Sequence, residues 1–150
     1  MKRYETESIS RYISHFHRIG SNFLSKKYEK ADIGFAQYKF LIQLYLTDGL
    51  SHDELTEKVS VDKGTTTRAI KKLWENGYVR IELNENDKRK YHIYLTEKAI
   101  YKREEILSIS ALWEDKLTGC LSPNELDTLL ELLRKIGRNN SGYFFSENEK

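Results

Sequence analysis

Apolar residues recur at three- and four-residue steps from Ser8 to about Tyr28: Ile9, Tyr12, Ile13, Phe16, Ile19, Phe23 and Leu24. That spacing predicts an amphipathic helix whose stripe must pack on the body of the chain or on a second copy of itself. Lys30-Ala31-Asp32-Ile33-Gly34 breaks the pattern, which resumes from Phe35 to Leu46 with Phe35, Tyr38, Leu41, Ile42 and Tyr45 on nearly every face. A helix so marked is expected to be buried on several sides, and Asp48-Gly49 ends it. Ser51 followed by Glu54 writes a capping box, and the short helix it starts buries Leu55 and Val59. Asp62 is the N-cap of a further helix in which Thr66, Ala69, Ile70 and Leu73 line one side. Its other side carries Gly64, Thr67, Arg68, Lys71 and Glu75, flanked by Thr65 and Lys72. Asn76-Gly77 stops it, with Tyr78 folding back on Leu73 as the apolar contact of a Schellman end.

The period then changes to two. Val79, Ile81 and Leu83 alternate with Arg80 and Glu82, and Tyr91, Ile93 and Leu95 alternate with His92 and Tyr94. Each run predicts a half-buried strand, joined by the wholly polar residues Asn84 to Lys90. Thr96 caps a predicted long helix to about Leu117, striped by Ile106, Ile109, Trp113 and Leu117. Ser122-Pro123-Asn124-Glu125 starts a last helix with Leu126, Leu129, Leu130, Leu133 and Ile136, ending at Gly137 or Asn139-Asn140. A tail follows whose Gly142-Tyr143-Phe144-Phe145 is aromatic enough to dock. The expected fold is mainly α with a small β-hairpin wing: a winged helix-turn-helix lobe at about 35–96, helical arms at about 6–30 and 97–138, and a tail at 139–150, all one domain.

Composition narrows the function. The 150 residues suit one domain, and ten tyrosines argue against disorder. A net charge of +2 does not announce a polyanionic partner. Between Val61 and Tyr91, however, eight basic residues stand against five acidic ones, a local +3 gathered at the helix and the hairpin tip. Double-stranded DNA is the partner this implies: Lys63, Gly64, Thr65, Thr67, Arg68 and Lys71 would enter a major groove, and Asp87, Lys88, Arg89 and Lys90 would form a wing at the backbone or minor groove. In that wing Arg89 would read the minor groove, Lys88 and Lys90 would touch phosphates, and Asp87 would orient the arginine or close the turn. The alternative is a winged-helix protein-interaction module that does not bind DNA specifically. It requires an apolar recognition face, where Thr, Arg and Lys stand.

Cys120 is the single cysteine, so neither a disulfide framework nor a cysteine-rich zinc site is expected. His15 and His17, two apart on a helix, point in different directions, and no metal or cofactor is expected. Nucleophile–base sets and phosphate loops are not legible, which argues against an enzyme. Neither a leader nor a long apolar span is seen, so a cytoplasmic chain with no membrane contact is expected. Tyr12, His15, Phe16 and Tyr38 are candidates to line an aromatic effector pocket between helical arm and lobe.

With these residues laid out, the chain resembles the MarR family of bacterial transcriptional regulators over nearly its whole length. The resemblance is carried by Leu55 with Val59, by GTTTRAIKKLWENGYVR from Gly64 to Arg80, and by Asp87-Lys88-Arg89 followed by Ile93, Leu95 and Thr96. It implies a homodimer held by the N- and C-terminal helices, two winged lobes on a pseudo-palindromic operator, and repression released by a small phenolic or lipophilic ligand or by thiol oxidation. Two departures stand out. Ala99 occupies a position where the family usually has glycine, and the first helix lacks the reactive cysteine of the oxidation-sensing branch.

Overall fold

The computed structural model describes residues 7–140. The aromatic tail residues 142–145 lie outside the described residues.

Helix α1, Ile9–Tyr28, is capped by Ser8, whose side chain accepts from the Arg11 amide. Only its C-terminal part is enclosed, at Gly20, Leu24 and Tyr28, while Ile9, Tyr12, Ile13, Phe16 and Ile19 stay 41–66 % exposed. The last helical turns pass against a later helix, α6 (Arg103–Thr118), and Gly20 permits the approach: a Cβ there would lie 2.7 Å from the Trp113 ring. A 3₁₀ turn, Glu29–Ala31, leads through Asp32 in the left-handed conformation (φ 55°) into α2, Phe35–Leu46. Phe40, Leu41, Leu44 and Tyr45 of α2 are buried on several sides, as its continuous apolar pattern requires.

The winged lobe is built from α3 (His52–Val59), α4 (Lys63–Glu75) and a three-stranded sheet of β1 (Leu50–Ser51), β2 (Val79–Leu83) and β3 (Tyr91–Leu95), in the antiparallel order β1-β3-β2. Both halves of the Ser51–Glu54 capping box form, with Leu55 fully buried beneath it and Val59 packed part-buried against the core. The α4 helix ends in a Schellman motif: Tyr78 N–H donates to the Leu73 carbonyl at 2.8 Å, Gly77 N–H to Trp74 at 2.9 Å, and Gly77 takes a φ of 75° that favours glycine. Ile93 sits at the sheet centre, paired with Leu50 on one side and Ile81 on the other.

Two expectations need correction, and one element was unexpected. The two-residue β1 was not foreseen, since period two cannot show in so short a segment. The strand β2 is not half-buried: only Val79 is enclosed, while Ile81 and Leu83 are 42 % and 64 % exposed. The hairpin projects beyond the helices, so alternation survives in sequence without a layer to cover its outer half. The long helix after Thr96 is two helices, α5 (Glu97–Tyr101) and α6, parted at Lys102 (φ −83°, ψ −1°). The break lets α5 seal the lobe, where the Tyr45 hydroxyl donates to the Ala99 carbonyl at 2.6 Å, while α6 turns away along α1. Arg103 sits in the bend, its guanidinium on the Tyr45 carbonyl at 3.3 Å.

Helix α7, Pro123–Asn139, repeats the capping box with Ser122 and Glu125 and buries no residue within the chain. Its leucine stripe is as periodic as expected, yet Leu129, Leu132, Leu133 and Ile136 are 40–53 % exposed. Buried tyrosine hydroxyls tie distant elements together, Tyr28 joining α1 to α6 and Tyr78 joining the end of α4 to the turn after α1. Tyr28 donates to the Ile106 carbonyl at 3.1 Å with Ser110 Oγ 2.7 Å away, and Tyr78 donates to the Ala31 carbonyl at 2.5 Å. Burial pushes all three phenols, Tyr28, Tyr45 and Tyr78, above their ordinary range, so they remain donors.

Candidate nucleic-acid interface

The N-terminus of α4 is fixed by Asp62. Its Oδ1 accepts the Thr65 amide at 2.8 Å and its Oδ2 the Thr65 hydroxyl at 2.6 Å. These bonds, the hydroxyl first, hold the carboxyl below its usual range. Arg68 reaches back along the helix, its Nη2 donating to Thr65 Oγ1 at 3.1 Å. Gly64 makes the space: a Cβ there would meet Asp62 Oδ1 at 3.1 Å and Arg68 Nη1 at 3.4 Å. Glycine therefore serves the cap and the arginine as well as any approaching backbone.

Thr66 is wholly buried between Thr56 Oγ1 (2.8 Å) and the Asp62 carbonyl (3.3 Å). Thr67, one residue on, is exposed, with Lys63, Arg68 and Lys71 beside it on the helix surface. Lys63 approaches Asp53 at 3.2 Å, and Lys71 and Lys72 approach Glu75 at 4.0 and 3.8 Å. Solvated pairs of this kind hold a lysine by at most about 1 kcal/mol and leave it available to a stronger anion.

The wing loop has its own architecture. Asn84 closes it by donating its amide to the Lys90 carbonyl at 2.8 Å, and Asn84 Oδ1 accepts the Asn86 amide at 2.9 Å. Asp87 Oδ1 accepts the Arg89 amide at 3.0 Å, so Asp87 shapes the turn and points its charge into the loop. Lys88, Arg89 and Lys90 are exposed, and among the described residues none makes an ion pair. Arg80 is different: it pairs with Glu82 and lies 4.6 Å from the Tyr94 ring centre. The α4 candidates Lys63 and Lys71 thus sit in solvated ion pairs, while Arg68 and the wing cations Lys88, Arg89 and Lys90 make none among the described residues.

The four candidate pocket residues are not brought together within one chain. Tyr12, His15 and Phe16 are neighbours on the exposed part of α1, with ring centres 6.1 Å apart from Tyr12 to Phe16 and from His15 to Phe16. Tyr38 stacks on Tyr28 at 4.8 Å at the other end of that helix, about 18 Å from Phe16 by the helical rise. An open groove of about 680 Å³ runs beside Tyr12 and His15 with Arg11 and Arg18, which donates to His15 Nδ1 at 3.2 Å. Cys120 is exposed just beyond α6.

The MarR family profile matches residues 35–91, from the start of α2 to the first residue of β3. A MarR transcriptional regulator from Methanosarcina mazei Go1 of known structure is 34 % identical, superposes with a TM-score of 0.80, and is matched over 87 % of this chain and 96 % of its own. The chain belongs to the MarR family. It is also 28 % identical to the HTH-type transcriptional regulator BilQ of Clostridium symbiosum, over 88 % of this chain and 92 % of that protein. A mutant MarR from E. coli, solved in complex with operator DNA, is 28 % identical with a TM-score of 0.78, over 91 % of this chain and 98 % of its own. As a MarR-family transcriptional regulator, and not an enzyme, the chain carries every recognition-helix and wing candidate inside the matched segment or at its edge. The unusual Ala99 is accommodated without disturbance: it is fully buried and its carbonyl receives Tyr45.

Two residues of this lobe escaped the sequence reading. Trp74, one turn beyond Lys71, is 57 % exposed, a single apolar side chain and not a patch. His52 opens α3, but its ring reaches Thr67 of α4 (Nε2 to Oγ1, 3.0 Å) and meets the Tyr91 ring edge-on at 5.7 Å. Sequence marked it only as the residue after a cap, and no periodicity signals a contact across fifteen residues.

Proposed function

We propose that this regulator is a homodimeric repressor that binds a pseudo-palindromic operator with α4 in the major groove and the β2–β3 wing on the adjoining backbone or minor groove. The observation that carries the reading is the exposed basic surface of two elements: Lys63, Arg68 and Lys71 on α4 and Lys88, Arg89 and Lys90 on the wing, with the wing cations free of carboxylate partners among the described residues. Opposed to a duplex of phosphates, such a surface gains affinity by releasing counterions, and the planar Arg89 suits a narrow groove. The operator complex of the E. coli relative supports the same use of the fold.

The dimer is supported by two apolar stripes left largely exposed among the described residues. They are Ile9, Ile13 and Phe16 on α1 and Leu129, Leu133 and Ile136 on α7, all 40–66 % exposed. Pairing them would place two α4 helices on one side of the dimer, about 34 Å apart when they enter successive major grooves. Occupied DNA is closed to transcription. A small phenolic or lipophilic effector, bound where the α1 aromatics Tyr12, His15 and Phe16 meet the partner protomer, would favour another spacing of the lobes and release the operator. Tyr38, part of the candidate pocket, would feel that ligand only through α1 and the Tyr28 stack. Such a regulator works in the cytoplasm, where its DNA is.

The test is a fluorescence titration of duplex DNA adjoining the protein's own gene against a scrambled duplex, at several salt concentrations. Tighter binding to the native duplex, with log affinity falling steeply with log salt, supports the reading. Equal, salt-independent binding refutes it and favours a protein-interaction role. Repeating the titration with phenolic compounds tests release.

A further inference from the structure

The first turns of the recognition helix carry three consecutive threonines after Lys63-Gly64, and all three hydroxyls are spent inside the protein. Thr65 donates to Asp62 and accepts from Arg68; buried Thr66 lies between Thr56 and the Asp62 carbonyl. Thr67 is the exposed member, and its Oγ1 donates to the Lys63 carbonyl at 2.9 Å. A hydroxyl has one proton, so the 3.0 Å contact between Thr67 Oγ1 and His52 Nε2 requires the imidazole to be the donor. The oxygen is thus held between its own helix and His52, which leaves the γ-methyl as the side-chain group of this exposed residue without a hydrogen-bonding role. Tyr91, edge-on to the His52 ring at the root of the wing, limits how far that ring can turn.

We propose that Thr67 reads thymine by methyl-to-methyl contact, and that His52 is the positioning residue that keeps the Thr67 hydroxyl turned away from the groove. The inference rests on α4 being the groove helix. In the major groove thymine is marked by its C5-methyl, for which a methyl is the fitting partner, whereas a free hydroxyl would seek the acceptors and donors of any base. The Thr67 contact requires a proton on Nε2, and the surroundings of His52 favour the neutral ring. Burial opposes its charging, Lys63 acts in the same direction, and Asp53 acts against.

The experiment starts from duplexes selected by the wild-type protein from a random library, with each thymine replaced singly by deoxyuridine, which lacks only the methyl. One thymine in each half-site is expected to lose about three- to fivefold in affinity on replacement, the worth of one buried methyl. Thr67→Val should keep that ratio and Thr67→Ser should abolish it. His52→Ala should also abolish it with an unchanged salt slope, and His52→Gln, whose amide N–H can reach the same oxygen, should restore it. Nitrogen NMR of the free protein at neutral pH should show His52 protonated at Nε2. Equal binding of all deoxyuridine duplexes, a ratio that survives Thr67→Ser, or an Nδ1-protonated His52 would overturn this proposal alone. A library from which nothing is enriched would overturn the groove-helix reading and this proposal with it.

Discussion

Replacing Tyr78 by phenylalanine removes one oxygen atom and should cost more than its size suggests. Tyr78 is fully buried, and its hydroxyl donates at 2.5 Å to the carbonyl of Ala31, itself 4 % exposed. Among the described residues that carbonyl receives no other hydrogen bond outside regular helix ladders. Phenylalanine would leave it without a donor and out of reach of bulk water, a loss of about 1–3 kcal/mol. For a chain of this length each kcal/mol moves the melting temperature by about 2–4 °C, so a fall of about 2–12 °C is expected. The backbone bonds of the Schellman end do not involve the hydroxyl, so α4 should keep its length and the denaturant m-value should not change. Urea unfolding at fixed protomer concentration measures the effect, since a dimer's apparent stability depends on concentration. Tyr101→Phe, at a position 87 % exposed, is the control and should stay within about 0.5 kcal/mol of wild type. A Tyr78→Phe protein as stable as that control would refute the view that this hydroxyl ties the end of α4 to the turn joining α1 and α2.

Other consequences follow from the same geometry. Arg89→Ala should weaken operator binding by about 10- to 100-fold, the range of a lost specific contact, while Lys90→Ala should chiefly flatten the salt dependence by about one unit of slope per chain; anisotropy titrations separate the two. Leu133→Asp, on a helix that buries nothing in its own chain, should yield a folded monomer with native circular dichroism and much reduced DNA affinity, read by sedimentation. In both capping boxes hydrogen bonds from serine hold the glutamate below its ordinary range, Glu54 through Ser51 and Glu125 through Ser122. A carboxyl depressed on folding contributes stability above its unfolded value and loses it as pH falls through the folded one. The double variant Glu54→Gln, Glu125→Gln should therefore show a flatter loss of stability below about pH 4.5 in urea titrations.

The parts of this fold that were legible in sequence are those governed by short-range rules. Both Ser–Glu capping boxes, the Asp62 cap, the Asn76-Gly77 stop and the two hairpin strands each depend on residues within five positions of one another, and the structure has them where the pattern put them. What escaped depends on partners distant in sequence. Lys102 breaks a helix that reads as continuous because Tyr45, more than fifty residues earlier, draws Ala99 and Arg103 onto the lobe. Ile81 and Leu83 alternate like buried residues, but burial needs a layer above the strand, and none reaches the outer hairpin. In the site, the residue types of the α4 face and the wing were readable, yet not their engagement. That the hydroxyls of Thr65 and Thr67 are committed to Asp62, Lys63 and His52 follows only from coordinates. The aromatic candidates of α1 and α2 matched in chemistry and not in place, since periodicity locates a residue on its own helix and says nothing of which end meets a neighbour.

The central claim is a dimer whose two lobes read one duplex through α4 and the wing. A hydroxyl-radical footprint on a selected duplex tests it most directly. The account predicts protection symmetric about a dyad, with two groove contacts about ten base pairs apart and outer protection that disappears in Arg89→Ala. A single unsymmetric patch, or a symmetric footprint untouched by wing and α4 substitutions, would contradict it.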